Sequence, residues 1–307
     1  MIKAAITGVK SPIAGELIRI LVNHPDVELK ALHAPGMGAC RAASIHHGLI
    51  GEEIPELSER FDPSDADVLF ICNPPEEAAA ILDRIDSSEL KDLRVIDLSG
   101  AARGREGYVC GISEIYRKQL VRGATSAYIP SPEAAVSLIM LHPLAANLLL
   151  PSEGLTLSIE AGADYAPSPE ANLTVRETLA ELQHSFTGDV KFTRIAVSDD
   201  KDAMQRGLRI SATIPSAMQP ADIRQLYENI YDDHNFSFTV LAPLDTREAE
   251  GTHKCLISLT SPAPDTLRVD AVADRRMRGG AGDAVHVMNL LFGLHERVGL
   301  TLKASSF

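Results

Sequence analysis

IKAAITGVKSPIAGELIRILVNHPDVELKALH, residues 2–33, is the stretch whose reading decides the fold. Ile2–Thr7 is a largely apolar run that stops at Gly8. A helical pattern then runs from about residue 12 to 23 and puts Ile13, Leu17, Ile20 and Leu21 on one face. His24-Pro25-Asp26 ends it, and Val27–His33 reads as a second strand. The alternation continues outward. Residues 67–72 (DVLFIC) read as a third strand, 76–86 as an Ala-rich helix and 95–98 as a fourth strand. Between them, residues 35–55, rich in Gly, Ala and His, read as a long loop or irregular helix. Continuous apolar strands alternating with helices imply a parallel sheet covered on both faces.

Residues 124–128 form another short strand candidate and lead into Ile129-Pro130-Ser131-Pro132-Glu133. A strongly apolar helix follows, to about residue 150. Ser131 suits its N-cap, Pro132 its first position and Glu133 its positive end. Beyond Pro151 strands outnumber helices. The strand candidates are 156–161, 191–197, 208–214, 237–242, 254–260 and 267–273, and the helix candidates are 173–186 and 221–233. This composition predicts an α+β domain with a largely antiparallel sheet. The chain closes in a helix from about 282 to 293, with Ala284, Val287, Met288, Leu291 and Leu294 as its apolar stripe.

Composition narrows the class. The chain has 307 residues, 45% apolar and 23% charged, which suits two folded domains with real cores or one large one. No run of about 18 apolar residues would span a membrane, and the first residues read as a buried strand, not a signal peptide. A soluble, cytoplasmic protein is expected. The net charge of −13 argues against nucleic acid, whose phosphates need clustered Lys and Arg. Cys40, Cys72, Cys110 and Cys255 are scattered, with no metal-ligand spacing, and read as reduced thiols with no disulfide framework.

Three further stretches carry a resemblance: VIDLSGAARG at 95–104 with GISEIYR at 111–117, AMQRGL at 203–208, and DRRMRGGAGDAVHVMNLLFGLHERVGL at 274–300. With the opening strand-turn-helix and its Asn23-His24-Pro25, they resemble the N-acetyl-γ-glutamyl-phosphate reductases, relatives of the aspartate-semialdehyde dehydrogenases. The resemblance spans nearly the whole chain and is weakest from about 158 to 193. It implies an NADP- or NAD-binding Rossmann domain over 1–130, completed by 278–307, and an α+β catalytic and dimerisation domain over 131–277. It also implies a dimer or tetramer acting on a small-molecule substrate in arginine biosynthesis. In that family a cysteine thiolate attacks an acyl phosphate, the thioester is reduced by NADPH to an aldehyde, and a histidine assists proton transfer.

By the same resemblance, Gly8, Lys10, Ser11, Pro12, Ile13, Asn73, Pro74, Ser99 and Gly282 are the cofactor-binding positions. Several differ from the family pattern. The fingerprint GATGYTG becomes Gly8-Val9-Lys10-Ser11-Pro12-Ile13-Ala14, with Ser11 and Ala14 in place of glycines. The second strand ends His33-Ala34-Pro35, without an acid for a ribose hydroxyl and without the family's Ser-Arg. Arg41 is the nearby cation. The family's NPGCYPT turn becomes IPSPEAA, 129–135, so that the nucleophile's place falls on Pro132 between Ser131 and Glu133. The family's His-Arg-His segment becomes Asn172–Glu177, without histidine; His184 follows in the predicted helix. Ser131, Glu133 and Arg206 remain as candidate catalytic residues, Arg206 either for an anionic substrate or for an inter-strand ion pair. Cys72 precedes Asn73-Pro74-Pro75 at a strand end where ligands bind, and reads as either a buried inert thiol or a substitute nucleophile. Asp97 reads as a group near the nicotinamide or as a turn cap. Three functions stay open: a reductase of this family with altered chemistry, a hydride-transferring enzyme without covalent catalysis, and a non-catalytic paralogue serving as a binding or regulatory subunit.

Overall fold

The structure is a computed structural model and describes residues 1–38, 40–59, 62, 66–86, 92–195 and 205–304. The chain divides into two compact units. One comprises Met1–Pro130 and Gly280–Thr301, the other Ser131–Gly279 and the described residues after Thr301.

The first unit is built on seven strands: β1 (Ile2–Thr7), β2 (Val27–His33), β3 (Leu57–Ser58), β4 (Val68–Ile71), β5 (Arg94–Asp97), β6 (Tyr108–Cys110) and β7 (Ser126–Tyr128). Their order is β3-β2-β1-β4-β5-β7-β6, and every pairing is parallel. Helices α1 (Pro12–Leu21), α2 (Pro75–Asp86), α3 (Ser113–Val121) and α7 (Ala281–Leu291) cover it. Successive strand residues face opposite sides. Ala5, Leu69, Ile71 and Val95 therefore pack with Ala78 and Leu82 of α2. Ala4, Ile6, Val68, Phe70 and Ile96, all buried, serve the other side, where α7 packs against α1, α3 and β5. This is why the strands read as unbroken apolar runs. Residues 35–55 hold two short 3-10 turns, Ala42–Ser44 and His47–Leu49.

The return of the chain end is fastened by His24. Its Nε2 donates to Asn289 Oδ1 at 3.1 Å, and its Nδ1 accepts from the Asp26 amide at 3.2 Å. The second bond requires the neutral ring, since a protonated Nδ1 cannot accept, and Gly299 packs so close that a Cβ there would lie 2.5 Å from the imidazole. Burial lowers the His24 pKa, against smaller raising effects from Asn289 and Asp26.

The second unit carries a mixed sheet of β8 (Gly154–Ala161), β9 (Asp189–Arg194), β10 (Gly207–Pro215), β11 (Ser237–Thr239), β12 (Cys255–Ala263) and β13 (Thr266–Asp274), in the order β11-β12-β13-β10-β8-β9. The central pairings are antiparallel; both edge pairs, β11 with β12 and β8 with β9, are parallel. Helices α4 (Pro132–Ala146), α5 (Ala171–Leu182) and α6 (Pro220–Tyr231) belong to this unit. Helix α4 is buried on nearly all sides and contains Pro143. A proline has no N–H for the carbonyl four residues earlier. That carbonyl belongs to Ile139, and the Tyr231 hydroxyl donates to it. The Tyr227 hydroxyl donates to the next carbonyl, Met140, at 2.7 Å. Two tyrosines one helical turn apart on α6 thus satisfy the break in α4.

Several boundaries differ from the sequence reading. Helix α4 stops at Ala146, well before residue 150, and Leu148 takes a left-handed φ of 59°. The Leu150 amide and carbonyl are then both taken by the Gln183 side chain, at 3.1 and 2.9 Å. Helix α5 ends at Leu182, so His184 lies in an exposed turn beyond it, outside the helix. Strand β11 stops at Thr239, short of residue 242. Residues 196 and 197 of one strand candidate, and Ala203 and Met204 of the AMQRGL stretch, lie outside the described residues. Strands β3 and β6 and helix α3 were not read from sequence. The two strands have two and three residues, and the Ser113–Val121 helix has no broad apolar stripe to give it away. Among the described residues no helix is long and apolar enough to cross a membrane.

Two outcomes follow from this packing. Tyr231→Phe leaves the Ile139 carbonyl buried without a donor and should cost about 1–3 kcal/mol in denaturant unfolding; an unchanged midpoint would mean that the carbonyl finds another donor. For His24 the neutral ring favours the fold fully above the ordinary histidine value of about 6.5. That contribution is lost as pH falls from there towards the lowered folded-state value, because the unfolded chain takes up the proton first. The stability of His24→Gln should therefore fall less steeply than that of the natural chain between about pH 7 and pH 5.

Candidate functional site

In an open parallel sheet, ligands bind at the carboxyl ends of the strands where the order reverses. Here β1 lies between β2 and β4, and the reversal falls between β1 and β4. Gly8 ends β1 with φ +74°, and a Cβ on it would lie 2.4 Å from the Asn73 amide nitrogen and the Cys72 carbonyl carbon. Only glycine allows the two strand ends to come this close. Its carbonyl accepts from the Ser11 amide at 3.0 Å, closing a tight turn. Ser11 then caps α1, its Oγ accepting from the Ile13 amide at 3.2 Å, with Pro12 in the first helical position.

A cavity of about 880 Å³ opens at this point. Of the cofactor positions expected from sequence, Gly8, Lys10, Ser11, Asn73, Pro74 and Ser99 line it. Pro12, Ile13 and Gly282 do not. The first two are spent on the turn of α1, and Gly282 is buried within α7. Arg41 is not there either; it lines a separate cavity of about 710 Å³ and forms a β-bridge with Glu56. The sequence reading missed the wall formed by α2. Glu77, Ala80, Ile81 and Arg84 line the cavity, and their spacing of three, four and seven is the signal of one helical face.

Asn73 is 94% buried, since only 6% of it is exposed, and its Oδ1 has no hydrogen-bond partner. Its Nδ2 donates to Glu77 Oε2 at 2.9 Å. An orphaned buried acceptor in a cavity wall costs stability unless a ligand or water answers it. Asp97 is fully buried and acts as the turn cap, accepting from the Ser99 amide at 2.9 Å, the Ser99 hydroxyl at 2.5 Å and the Ala102 amide at 2.8 Å. Cys72 lines the cavity, but burial, and secondarily the charge of Asp97, pushes its thiol pKa far up. A thiol held protonated is a poor nucleophile.

In the second unit Glu133 and Arg206 are tied into structure, and Ser131 is not. Ser131 stands at the N-cap of α4, yet its side chain caps nothing, and its Oγ is buried without a partner. Pro132 packs against Gly279, where a Cβ would lie 2.4 Å from Pro132 Cα and where φ is +66°. Glu133 is fully buried and does not present its carboxylate to solvent at the helix end. The Tyr165 hydroxyl donates to one oxygen and the Ser168 amide to the other at 2.6 Å. Arg206 takes the ion-pair reading: its Nε donates to Asp274 Oδ2 at 2.7 Å. The fully buried Asp274 also accepts from the Gly251 and Arg276 amides, at 2.7 and 2.8 Å. Of the remaining thiols, Cys110 and Cys255 are buried in β6 and β12, and Cys40 is half-buried. Asn172–Glu177 lies inside α5.

Comparison with known proteins agrees with this geometry. Residues 3–122 match the family described as semialdehyde dehydrogenase, NAD binding domain. The N-acetyl-gamma-glutamyl-phosphate reductase of Parabacteroides distasonis is 31% identical over 333 aligned positions, covering 100% of both chains. That of Phocaeicola vulgatus is 29% identical over the same span and coverage. Among solved structures, aspartate semialdehyde dehydrogenase II of Vibrio cholerae, complexed with ASA, superposes with a TM-score of 0.72 at 13% identity, over 95% of this chain and 98% of that one. The Candida albicans aspartate semialdehyde dehydrogenase with NADP does so with a TM-score of 0.66 at 16% identity, over 95% and 98%. These two share the fold. The full-length likeness at 31% identity settles the narrower kinship: the chain belongs to the N-acetyl-gamma-glutamyl-phosphate reductase family.

Proposed function

We propose that this chain binds a nicotinamide dinucleotide, NADP or NAD, in the cavity at the β1–β4 reversal and does not form the cysteine thioester of its family. The observation that carries the second half is the joint at the start of α4. The nucleophile's aligned position is Pro132, packed on Gly279, and the neighbouring Glu133 is sealed by Tyr165 and Ser168. No side chain there offers a thiolate. The thiol that does line the cavity, Cys72, is held protonated by burial.

The cavity's residues fit a dinucleotide. Its volume lies within the range of about 300–1,000 Å³ usual for ligand sites. The Gly8–Ser11 turn lines the cavity at the positive end of α1, which favours a pyrophosphate there. Ser11 Oγ accepts from Ile13 and keeps its own proton to donate to a phosphate oxygen, while Lys10 adds charge beside it. Asn73 Oδ1 is an unanswered acceptor at the strand end. A bound nicotinamide supplies a hydride, and direct hydride transfer needs no covalent intermediate. On this reading the chain is an oxidoreductase for a small carbonyl substrate, assembled as a dimer or tetramer. The second reading is a binding or regulatory subunit that keeps the fold without the reaction. The same sealed joint at Glu133 favours it over any chemistry at α4.

Calorimetric titration with NADPH and NADH should show saturable binding with a Kd on the order of micromolar. Ser11→Glu, which sets a carboxylate where the pyrophosphate approaches, should weaken it by about tenfold or more. Reduction of N-acetyl-γ-glutamyl phosphate should be absent with either cofactor. No binding at millimolar cofactor would end the dinucleotide reading, and acyl-phosphate turnover abolished by iodoacetamide would end the claim that thioester chemistry is missing.

A further inference from the structure

The turn after β1 is fastened by a side chain from the irregular segment that follows β2. His46 sits between the two short 3-10 turns, Ala42–Ser44 and His47–Leu49. Its amide donates to the Ala42 carbonyl, and its carbonyl accepts from the Leu49 amide, both at 2.9 Å. The backbone of His46 is thus held from both sides. Its ring reaches the turn, where Nε2 donates to the Val9 carbonyl at 2.6 Å. A carbonyl oxygen only accepts, so Nε2 carries a proton.

Gly15 is the second observation. It lies inside α1, and its amide donates to the Ser11 carbonyl at 3.2 Å. Glycine is a poorer helix former than alanine. Gly15 does not have the positive φ that would call for glycine, so space is the reason for it. A Cβ there would lie 2.6 Å from His46 Nδ1 and 2.8 Å from Cε1 and Cγ. Three atoms of one rigid ring are involved, so the imidazole as a whole would have to move. The bare backbone of α1 makes room for the ring that holds Val9.

We propose that His46 is a positioning residue of the dinucleotide site: by holding the Val9 carbonyl it keeps the Gly8–Ser11 turn in the course that receives the pyrophosphate, without touching the ligand. The assignment rests on the dinucleotide reading above and deepens it. Val9, Lys10 and Ser11 line the cavity, and His46 does not. The Val9–Lys10 peptide is planar, so its carbonyl and the Lys10 N–H point in opposite directions. A bond that fixes the carbonyl therefore fixes the amide as well. The turn is closed at its ends by the Ser11 amide on the Gly8 carbonyl, and the His46 bond restrains its middle from outside. Without that bond only a fraction of the chains hold the competent course, and the apparent affinity falls by that fraction.

The test is calorimetric titration with NADPH and NADH of the natural chain, His46→Phe, His46→Gln and Gly15→Ala, beside thermal unfolding of each without cofactor. Phenylalanine keeps a ring against Gly15 and loses the donor. Glutamine returns an amide N–H close to the place of Nε2. Gly15→Ala raises the helix propensity of α1 and displaces the ring. His46→Phe and Gly15→Ala should each weaken both cofactors by about fivefold to tenfold, the effect of one net hydrogen bond, with the ratio between the cofactors unchanged. His46→Gln should stay within about threefold of the natural chain. A purely structural role would lower the unfolding midpoint and leave the affinity of the folded chains as it is. Should His46→Phe fail to fold, Gly15→Ala carries the test. Undiminished affinity in His46→Phe or Gly15→Ala, or a His46→Gln chain as weak as His46→Phe, would overturn the assignment, while binding by the natural chain keeps the dinucleotide reading standing. Failure of the natural chain to bind either cofactor would overturn both.

Discussion

The backbones of β1 and β4 meet at Gly8 more closely than any side chain allows, and the first unit is organised around that contact. A Cβ at this position would overlap the Cys72–Asn73 peptide, and the positive φ turns the chain sharply out of the sheet. The turn hands the chain to Ser11, which caps α1, and to Pro12, whose fixed φ starts the helix. The same contact sets the floor of the cavity, because Asn73 and Pro74 follow directly from the strand that Gly8 touches. Ser11, where the family has a second glycine, caps the helix end, its hydroxyl accepting from the Ile13 amide.

The second unit shows how polar groups are held inside a fold by hydrogen bonds to the chain itself. Pro132 needs only its shape, and Gly279 gives it room by having no side chain. Glu133, which alone would be an unpaired charge in a buried helix end, is stabilised by one phenol and one amide. Arg206, itself half-buried, pairs with the fully buried Asp274, which two backbone amides also serve. The carboxylates of Glu133 and Asp274 thus have both oxygens answered by the protein itself. Chemistry on a substrate needs the opposite, a group held in place with one valence left over, and in the first unit Asn73 Oδ1 is such a group.

The sequence by itself determined much of the architecture. Apolar runs such as Val68–Ile71, the 3.6-residue stripe of α1 and the glycine that ends β1 led directly to a parallel sheet with helices on both faces. They did so because burial on two faces demands that pattern, whatever the partners are. The second, mixed sheet was legible in its central antiparallel strands, though not in its parallel edge pairs, whose register depends on neighbours distant in the chain. Six of the nine expected cofactor positions line the cavity for a similar reason: they sit at strand ends or in the turn, where the local motif dictates position.

Only the tertiary structure decided the roles of the polar groups. Whether Arg206 met a ligand or an aspartate depended on Asp274, 68 residues away. Whether Glu133 faced a substrate or the interior depended on Tyr165, 32 residues away. Arg84 lay in an ordinary charged helix until the fold turned that helix face to the cavity. Hydrophobic burial is set by pattern, so it can be read along the chain. A hydrogen bond or an ion pair is set by the meeting of two particular groups, and only the folded chain brings them together.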